Sequence, residues 1–483
     1  MTRAATALVA ALSILAPQAG ASTPLTATLD GIFADPVLAR AVIGVRVESL
    51  RDGRVIYSRN AATHVVPASN MKIVTMAVAA ERLGWDYTFE TRLEAAGRVA
   101  GGVLTGDLVV TGSGDPTIVS GDGGPSPVFD AWADALVAAG IRSVDGRLIG
   151  DDNAFDDEGI GAGWAWDYLG DGYATGTGAL TYNENIVTVR TQPGSRAGDP
   201  VSIEVKPSGH GLTIVNQLTT GAAGSSASVT MARRPGDTTL TIHGSLPAGA
   251  KLSTRTAAVD NPTTFFISAL SLALARRGIV VRDGVFDIDA IATPVTGART
   301  PIAKRTSLPL SIVGAEFLKV SQNLYGETLL KTLGRRDGAP GTAEGGRQVV
   351  RETLAKWGVP DDAIVMYDGS GLSRYNYVSA DAIVAILRHV WDDARLRGPF
   401  LAALPVGGHD GTLDTRMKNT ILDGKVQAKT GTIANVRSLS GFLETASGEK
   451  LVFSMIANHF TAPGARIDAV VEKALAAIAG ERR

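Results

Sequence analysis

The texture of the chain changes twice along its 483 residues. Residues 69–84 and several stretches beyond about residue 300 carry apolar side chains at the three-to-four spacing of helices. Between them, runs such as FETRLEAAGRVAGGVLTGDLVVTGSGDPT read as short strands joined by glycine turns. The outer parts also contain strands. AVIGVRVESL and RVIYSRN flank Asp52-Gly53, a hairpin signal, and GKVQAKTGTI, RSLSGFLETAS and LVFSMIANH follow one another near the end. Helices around a terminal antiparallel sheet, joined by the early hairpin, imply one α/β (α+β) domain made of residues 22–90 and 298–483 and interrupted by a large insertion.

The insertion divides again. ALVAAGIRSVDGRLIGDD (135–152) and ALARRGIVVRDGVFDIDA (273–290) share a helix, a Gly-Ile step and an Asp-Gly pair, aligning Gly140 with Gly278 and Asp145 with Asp283. Two copies are too few for a solenoid. They place residues 91–185 and 259–297 in one accessory domain of two similar units. The Thr/Ser/Gly-rich segment 186–258, with strand patterns VSIEVKP and TTLTIHG, forms a second, small β-rich accessory domain between them.

Composition removes several function classes. The chain has no cysteine, which excludes disulfides, thiolate metal sites and a cysteine nucleophile. Its six histidines show no HxxxH spacing, so a zinc hydrolase is not expected, and nothing calls for a metal or cofactor. A net charge of −2 gives no reason to expect nucleic acid as a partner. The N-terminus joins Arg3, an apolar run over 7–16 and Ala19-Gly20-Ala21, the layout of a secretory signal cleaved after residue 21. The mature protein is therefore expected to be secreted or periplasmic, with membrane association at most peripheral; its oligomeric state is not legible.

Within THVVPASNMKIVTMAVAAERLG, Ser69 precedes Lys72 by three residues at the start of a helix. A serine hydroxyl is a poor nucleophile until a base takes its proton, and a lysine kept neutral by burial can do so. Three residues along a helix share one face, so the spacing suits a nucleophile and its base. Ser-x-x-Lys arises by chance in a chain of this size, and Ser447-x-x-Lys450 also fits on a turn between strands. Order and setting separate them: Ser69-x-x-Lys72 opens a helix, Ser321-x-Asn323 lies between helical segments, and Lys429-Thr430-Gly431 sits on a strand before a hairpin. That ordered trio is the signature of penicillin-recognising serine enzymes.

On these motifs the chain resembles the D-alanyl-D-alanine carboxypeptidase/endopeptidase branch of the low-molecular-mass penicillin-binding proteins, class C or peptidase family S13. The likeness takes in GSGDPT (112–117), YDGSGLSRYN (367–376) and LPVGGHDGTLDTRMKN (404–419). Ser321 lies 252 positions after Ser69, matching that branch's large insertion, whereas a β-lactamase keeps these motifs closer together. The resemblance implies a serine β-lactamase/transpeptidase-like fold, peptidoglycan stem peptides as substrate and β-lactam antibiotics as covalent inhibitors.

It also implies roles. Ser69 would attack the carbonyl between two D-alanines, Lys72 would take its proton, and Ser321 would relay that proton to the leaving amine. Asn323 would hold the substrate amide and steady Lys72. Lys429 would keep Lys72 neutral and attract the substrate carboxylate, which Thr430 of the Lys-Thr-Gly431 strand would bond. The N–H groups of Ser69 and Thr432 would form the oxyanion hole. Gln322 stands where related enzymes often have aspartate. Arg374 matches an arginine that in some relatives recognises the third residue of the peptide together with an accessory-domain aspartate; Asp167 is the candidate here, although the aspartate often stands where this chain has Tyr168. A β-lactamase and a non-catalytic wall-binding scaffold are the rival readings. The glycine- and aspartate-rich stretches 112–117 and 368–374 read as turns, His409 as a loop residue, and Trp164, Trp166 and Tyr168 as core packing or groove lining.

Overall fold

A computed structural model describes residues 24–121, 126–336 and 338–481, so the signal-peptide reading falls outside the described residues. The chain opens with helix α1 (Pro24–Phe33), strands β1 (Val42–Ser49) and β2 (Val55–Arg59), and helix α2 (Met71–Leu83). Strands β3 (Glu90–Ala100) and β4 (Val103–Gly112) lead to helix α3 (Pro127–Ala138), then β5 (Ser143–Asp145) and β6 (Leu148–Asp151). Six strands follow: β7 (Ile186–Gln192), β8 (Ser202–Lys206), β9 (Thr213–Gly221), β10 (Ser228–Ala232), β11 (Thr239–Pro247) and β12 (Ser253–Ala258). Helix α4 (Pro262–Arg276) precedes β13 (Val280–Val281), β14 (Val285–Asp287) and β15 (Arg299–Thr306). Helices α5 (Leu310–Lys319), α6 (Asn323–Gly334) and α7 (Ala343–Lys356) come next, then the short strands β16 (Ile364–Val365) and β17 (Tyr377–Val378). The chain closes with α8 (Ala380–Asp392), α9 (Ala394–Ala403), β18 (Val426–Ile433), β19 (Val436–Glu444), β20 (Lys450–Asn458) and α10 (Gly464–Gly480).

The hairpin and the C-terminal strands join into one antiparallel sheet of order β18-β19-β20-β1-β2. Its two faces are covered by different helices. On one side α1 and α10 lay Leu29, Phe33, Ile467 and Leu475 against Val45, Val47 and Phe453. On the other, α2 lies inside a layer of α5, α6, α7, α8 and α9. Every residue of α2 from Met71 to Ala80 is buried, the pattern of a helix surrounded by protein on all sides. Gly84 ends it with φ 81°, a conformation that suits a residue without a Cβ.

The insertion has its own core. Phe129, Trp132, Phe265 and Phe266 from α3 and α4 pack on a seven-stranded sheet built from β3–β6 and β13–β15. The two halves of the internal repeat lie side by side in it: β13 pairs in parallel with β5 (Val280 opposite Ser143) and β14 with β6 (Val285 opposite Leu148). Gly140 and Gly278 turn the chain after the two helices with φ 78° and 75°. Strands β7–β12 form two three-stranded sheets, β12-β7-β8 and β10-β11-β9.

Two features depart from the sequence reading. Arg299–Thr306, placed with the outer domain beyond residue 298, pairs as β15 with β3 and so extends the insertion's sheet. Its partner lies about 200 positions upstream, and nothing local to the strand names that partner. Helix α9, which the sequence reading did not single out, carries Pro399 inside it. Asp393 starts that helix by accepting the Arg395 backbone N–H at 2.8 Å.

Candidate active site

Ser69 sits in a single 3₁₀ turn (Ala68–Asn70) that runs directly into α2. Three anchors tie the turn to the sheet. Asn458 exchanges two hydrogen bonds with the Val66 backbone, the Ser438 hydroxyl donates to Pro67 O at 2.7 Å, and Asn70 donates to Ser440 Oγ at 2.6 Å. Ala68 is held at φ 48°, a left-handed conformation that non-glycine residues adopt at a cost. The serine thus starts a helix while facing the sheet edge.

One turn on, Lys72 is fully buried. Its Nζ donates to Ser69 Oγ at 3.0 Å, to Asn323 Oδ1 at 2.5 Å and to the Ser370 carbonyl at 2.8 Å. Burial lowers its pKa from 10.5 to about 7, against the opposing charges of Asp368 and Glu327. The amine is therefore poised near neutrality beside a serine hydroxyl. The sequence reading gave Lys429 the task of keeping Lys72 neutral, but burial is the leading cause. Lys429 is itself fully buried and held well below its ordinary value, first by burial and then by Lys72.

The second motif forms the junction of α5 and α6. Ser321 has φ 69°, Gln322 takes the position just before α6 without a capping side-chain bond, and Asn323 begins the helix. Asn323 accepts from Lys72 and donates through Nδ2 to the Tyr173 carbonyl at 2.8 Å, so the insertion holds the outer side of this turn.

The third motif lies on β18, the edge of the five-stranded sheet. Gly407 N donates to Val426 O and Ala428 N to Pro405 O, so the backbone groups of 426 and 428 face off that edge. Backbone direction repeats every second residue, which aims those of Thr430 and Thr432 the same way. Lys429 Nζ donates to Thr430 O at 3.0 Å, and the Thr430 and Thr412 hydroxyls meet at 2.7 Å. Gly431 lets this edge approach the serine: a Cβ there would lie 2.1 Å from Ser438 Oγ and 3.0 Å from Ser69 N.

The loop 367–376 closes the site from below. Asp368, wholly buried, accepts the backbone N–H groups of Gly371 and Ser373, the Asn376 amide and the Trp164 indole. Glu327, one turn along α6 from Asn323, accepts from the N–H groups of Gly369 and Ser370 at 3.0 and 2.8 Å. Burial, then the charge of Asp368, raise the Glu327 carboxyl above the ordinary range. Motif reading gave Glu327 and Asp368 no role. The only signal was the asparagine-to-glutamate spacing of four along one helix face.

Ser69, Ser321, Asn323 and Thr432 line a cavity of about 620 Å³ with Tyr168 and Tyr173 of the insertion. Among its described lining residues the charged side chain is Arg437, which no motif had pointed to; it also pairs with Asp468 at 3.6 Å. Arg374 reaches the rim, where it donates to Tyr168 Oη at 3.1 Å and Ala434 O at 3.2 Å. Asp167 is exposed, and Arg374 bonds Tyr168 instead. His409 pairs with Asp423 at 3.0 Å, and Lys450 of the second Ser-x-x-Lys with Glu444. Among the described residues two groups could hold a cation, Asp152 with Asp287 and Asp289 and Glu81 with His389 and Asp393, and neither lines the cavity.

Comparison with known proteins gives the same reading. The D-Ala-D-Ala carboxypeptidase 3 (S13) family matches residues 25–478. The D-alanyl-D-alanine carboxypeptidase of Actinomadura sp. (strain R39) is 34% identical over 468 residues, covering 94% of this chain and 85% of that protein. The crystal structure of penicillin binding protein 4 from Haemophilus influenzae matches with TM-score 0.80 at 24% identity, covering 90% of this chain and 94% of that one. Its complex with a novel β-lactam matches with TM-score 0.75 at 22% identity, over 93% and 98% of the two chains. Matched along nearly all of its described length, the chain belongs to the D-Ala-D-Ala carboxypeptidase 3 (S13) family.

Proposed function

We propose that this protein is a serine D,D-peptidase that cleaves the bond after the penultimate D-alanine of peptidoglycan stem peptides through an acyl-enzyme on Ser69. One observation carries the reading: a buried lysine amine held near neutrality lies 3.0 Å from a serine hydroxyl that opens onto a cavity. Lys72 takes the Ser69 proton as Oγ bonds to the carbonyl carbon. The N–H groups of Ser69 and Thr432 hold the resulting oxyanion, a contribution of about 3–4 kcal/mol for each donor. The C–N bond then breaks, and the leaving amine takes the proton back through Ser321. Water attacks the ester by the reverse path and frees Ser69. Thr430 and Lys429 receive the terminal carboxylate, whose charge favours the ammonium form of Lys429. Arg437 adds a second cation at that end.

The same steps serve a carboxypeptidase and an endopeptidase, because both cleave after a D-alanine carbonyl. A β-lactam offers an equivalent carbonyl and leaves Ser69 acylated. The described residues lining the cavity include no aspartate or glutamate to activate water against that ester, which favours a peptidase over a β-lactamase. No helix among the described residues is long and apolar enough to cross a membrane. Work on the cell wall, after export through the N-terminal signal, fits this substrate. The test is release of D-alanine from a synthetic peptide ending in D-Ala-D-Ala. Wild type should release it, and Ser69→Ala and Lys72→Arg should not; release by Ser69→Ala would overturn the assignment.

A further inference from the structure

The Ser321-Gln322-Asn323 turn is gripped by the insertion at two points. Asn323 donates to the Tyr173 carbonyl at 2.8 Å, and Gln322 Nε2 donates to Glu184 Oε2 at 2.5 Å. The other oxygen of Glu184 accepts the Tyr325 hydroxyl at 3.3 Å. Glu184 therefore touches the first turn of α6 twice, once on each side of Asn323.

The backbone that presents this carboxylate is unusual. Asn183, Glu184 and Asn185 are all left-handed, with φ 50°, 54° and 56°. Asparagine tolerates that region through local hydrogen bonds, and glutamate does not share that aptitude. Here Asn183 donates to Ile186 O and Asn185 to Gly176 O, which pins the segment on both sides of the glutamate. Strain of this kind persists where surrounding contacts over-determine it, and it gathers at working sites. Ser321, on the other side of the contact, is left-handed as well. Two strained segments meet through one amide–carboxylate bond.

The groups facing Glu184 are few. Gln322 and Tyr325 bond it from α6, and Glu316 on α5 adds a like charge. Burial, then Glu316, raise its carboxyl above the ordinary range. A further acidic side chain at 322 would meet this carboxylate directly, whereas the glutamine amide supplies a donor.

Given the serine peptidase reading, we propose that Glu184 is a positioning residue. By accepting from Gln322 it fixes the turn that aims Ser321 and Asn323 at Ser69 and Lys72.

The test exchanges donor and acceptor without changing size. The rate of acylation by a fluorescent penicillin is measured on the full-length protein for wild type, Gln322→Glu and the double variant Glu184→Gln/Gln322→Glu. Two carboxylates in contact should slow acylation by about tenfold or more in the single variant. The double variant restores one donor and one acceptor, and its rate should return to within about threefold of wild type. Damage at position 322 unrelated to Glu184 would not recover on adding the second substitution. A single variant that acylates at the wild-type rate overturns the proposal, as does a double variant as slow as the single one. Should Gln322→Glu fail to fold, the near-isosteric Gln322→Leu, which removes the donor without adding a charge, is measured in its place, and a folded Gln322→Leu that acylates at the wild-type rate overturns the proposal. A wild type that takes up no penicillin would instead overturn the peptidase reading on which the proposal rests.

Discussion

If Lys72 is the base, the acylation rate is a titration curve of one buried amine. An ordinary lysine holds its proton to about pH 10.5, so at pH 7 about one in three thousand is neutral. Burial brings Lys72 to about 7, where about half are neutral at the same pH. The fold thus makes about a thousandfold more free amine available, equivalent to about 4 kcal/mol of activation free energy. The sign follows from which form reacts. Neutral Lys72 accepts the serine proton, so the rate should rise about tenfold per pH unit below about pH 7 and level off above it. Arginine in its place cannot lose a proton in this range, and Lys72→Arg should fall at least about a thousandfold at pH 8. Stopped-flow acylation with a fluorescent penicillin from about pH 5.5 to about 9 measures both effects. A rate independent of pH below about 7, or an arginine variant within about tenfold of wild type, would refute the reasoning.

Other expectations follow from the same geometry. Glu327 opposes the lowering of Lys72, so Glu327→Gln should move the acid limb of that profile to lower pH, and an unmoved limb would remove Glu327 from the electrostatics of the base. Gly431→Ala places a Cβ 2.1 Å from Ser438 Oγ and 3.0 Å from Ser69 N, and acylation should fall about a hundredfold or more while circular dichroism still reports a folded protein. Asn323→Ala removes one of the three acceptors of Lys72 and the amide that bonds the Tyr173 carbonyl, and should cost about a hundredfold in acylation rate. Burial raises Asp152 to about 6, so ionising it costs stability as pH rises from about 4 through 6. Asp152→Asn should stabilise the protein by about 2 kcal/mol at pH 7.5 and by nothing below pH 4, as read by thermal unfolding.

What the sequence made legible was what is local. Asp52-Gly53 between two alternating runs specifies its own hairpin, and Ser69 and Lys72 meet because one helical turn brings them together. Lys429-Thr430-Gly431 could be placed on a strand, but not the reason for its glycine, which is the approach of Ser69 N from the other end of the chain. The repeat of Gly140–Asp145 in Gly278–Asp283 showed as texture, and pairing of the two copies in one sheet gave it a cause. Long-range partners were not legible. Glu327 and Asp368 look like ordinary acidic residues until folding buries them under Lys72, and Arg437 sits at the start of β19 with no motif around it. The Glu184–Gln322 and Tyr173–Asn323 contacts join residues about 140 to 150 positions apart. Asp167 is exposed, and the residue that meets Arg374 in the fold is its neighbour Tyr168.

The central claim is that Ser69 becomes acylated with Lys72 as its base. Intact-protein mass spectrometry after brief exposure to benzylpenicillin tests it most directly. The account predicts one lasting adduct, of the mass of the whole antibiotic, on wild type and none on Ser69→Ala. An adduct on both proteins would place the reactive serine elsewhere and contradict the account; penicillin consumed with no lasting adduct would make the chain a β-lactamase.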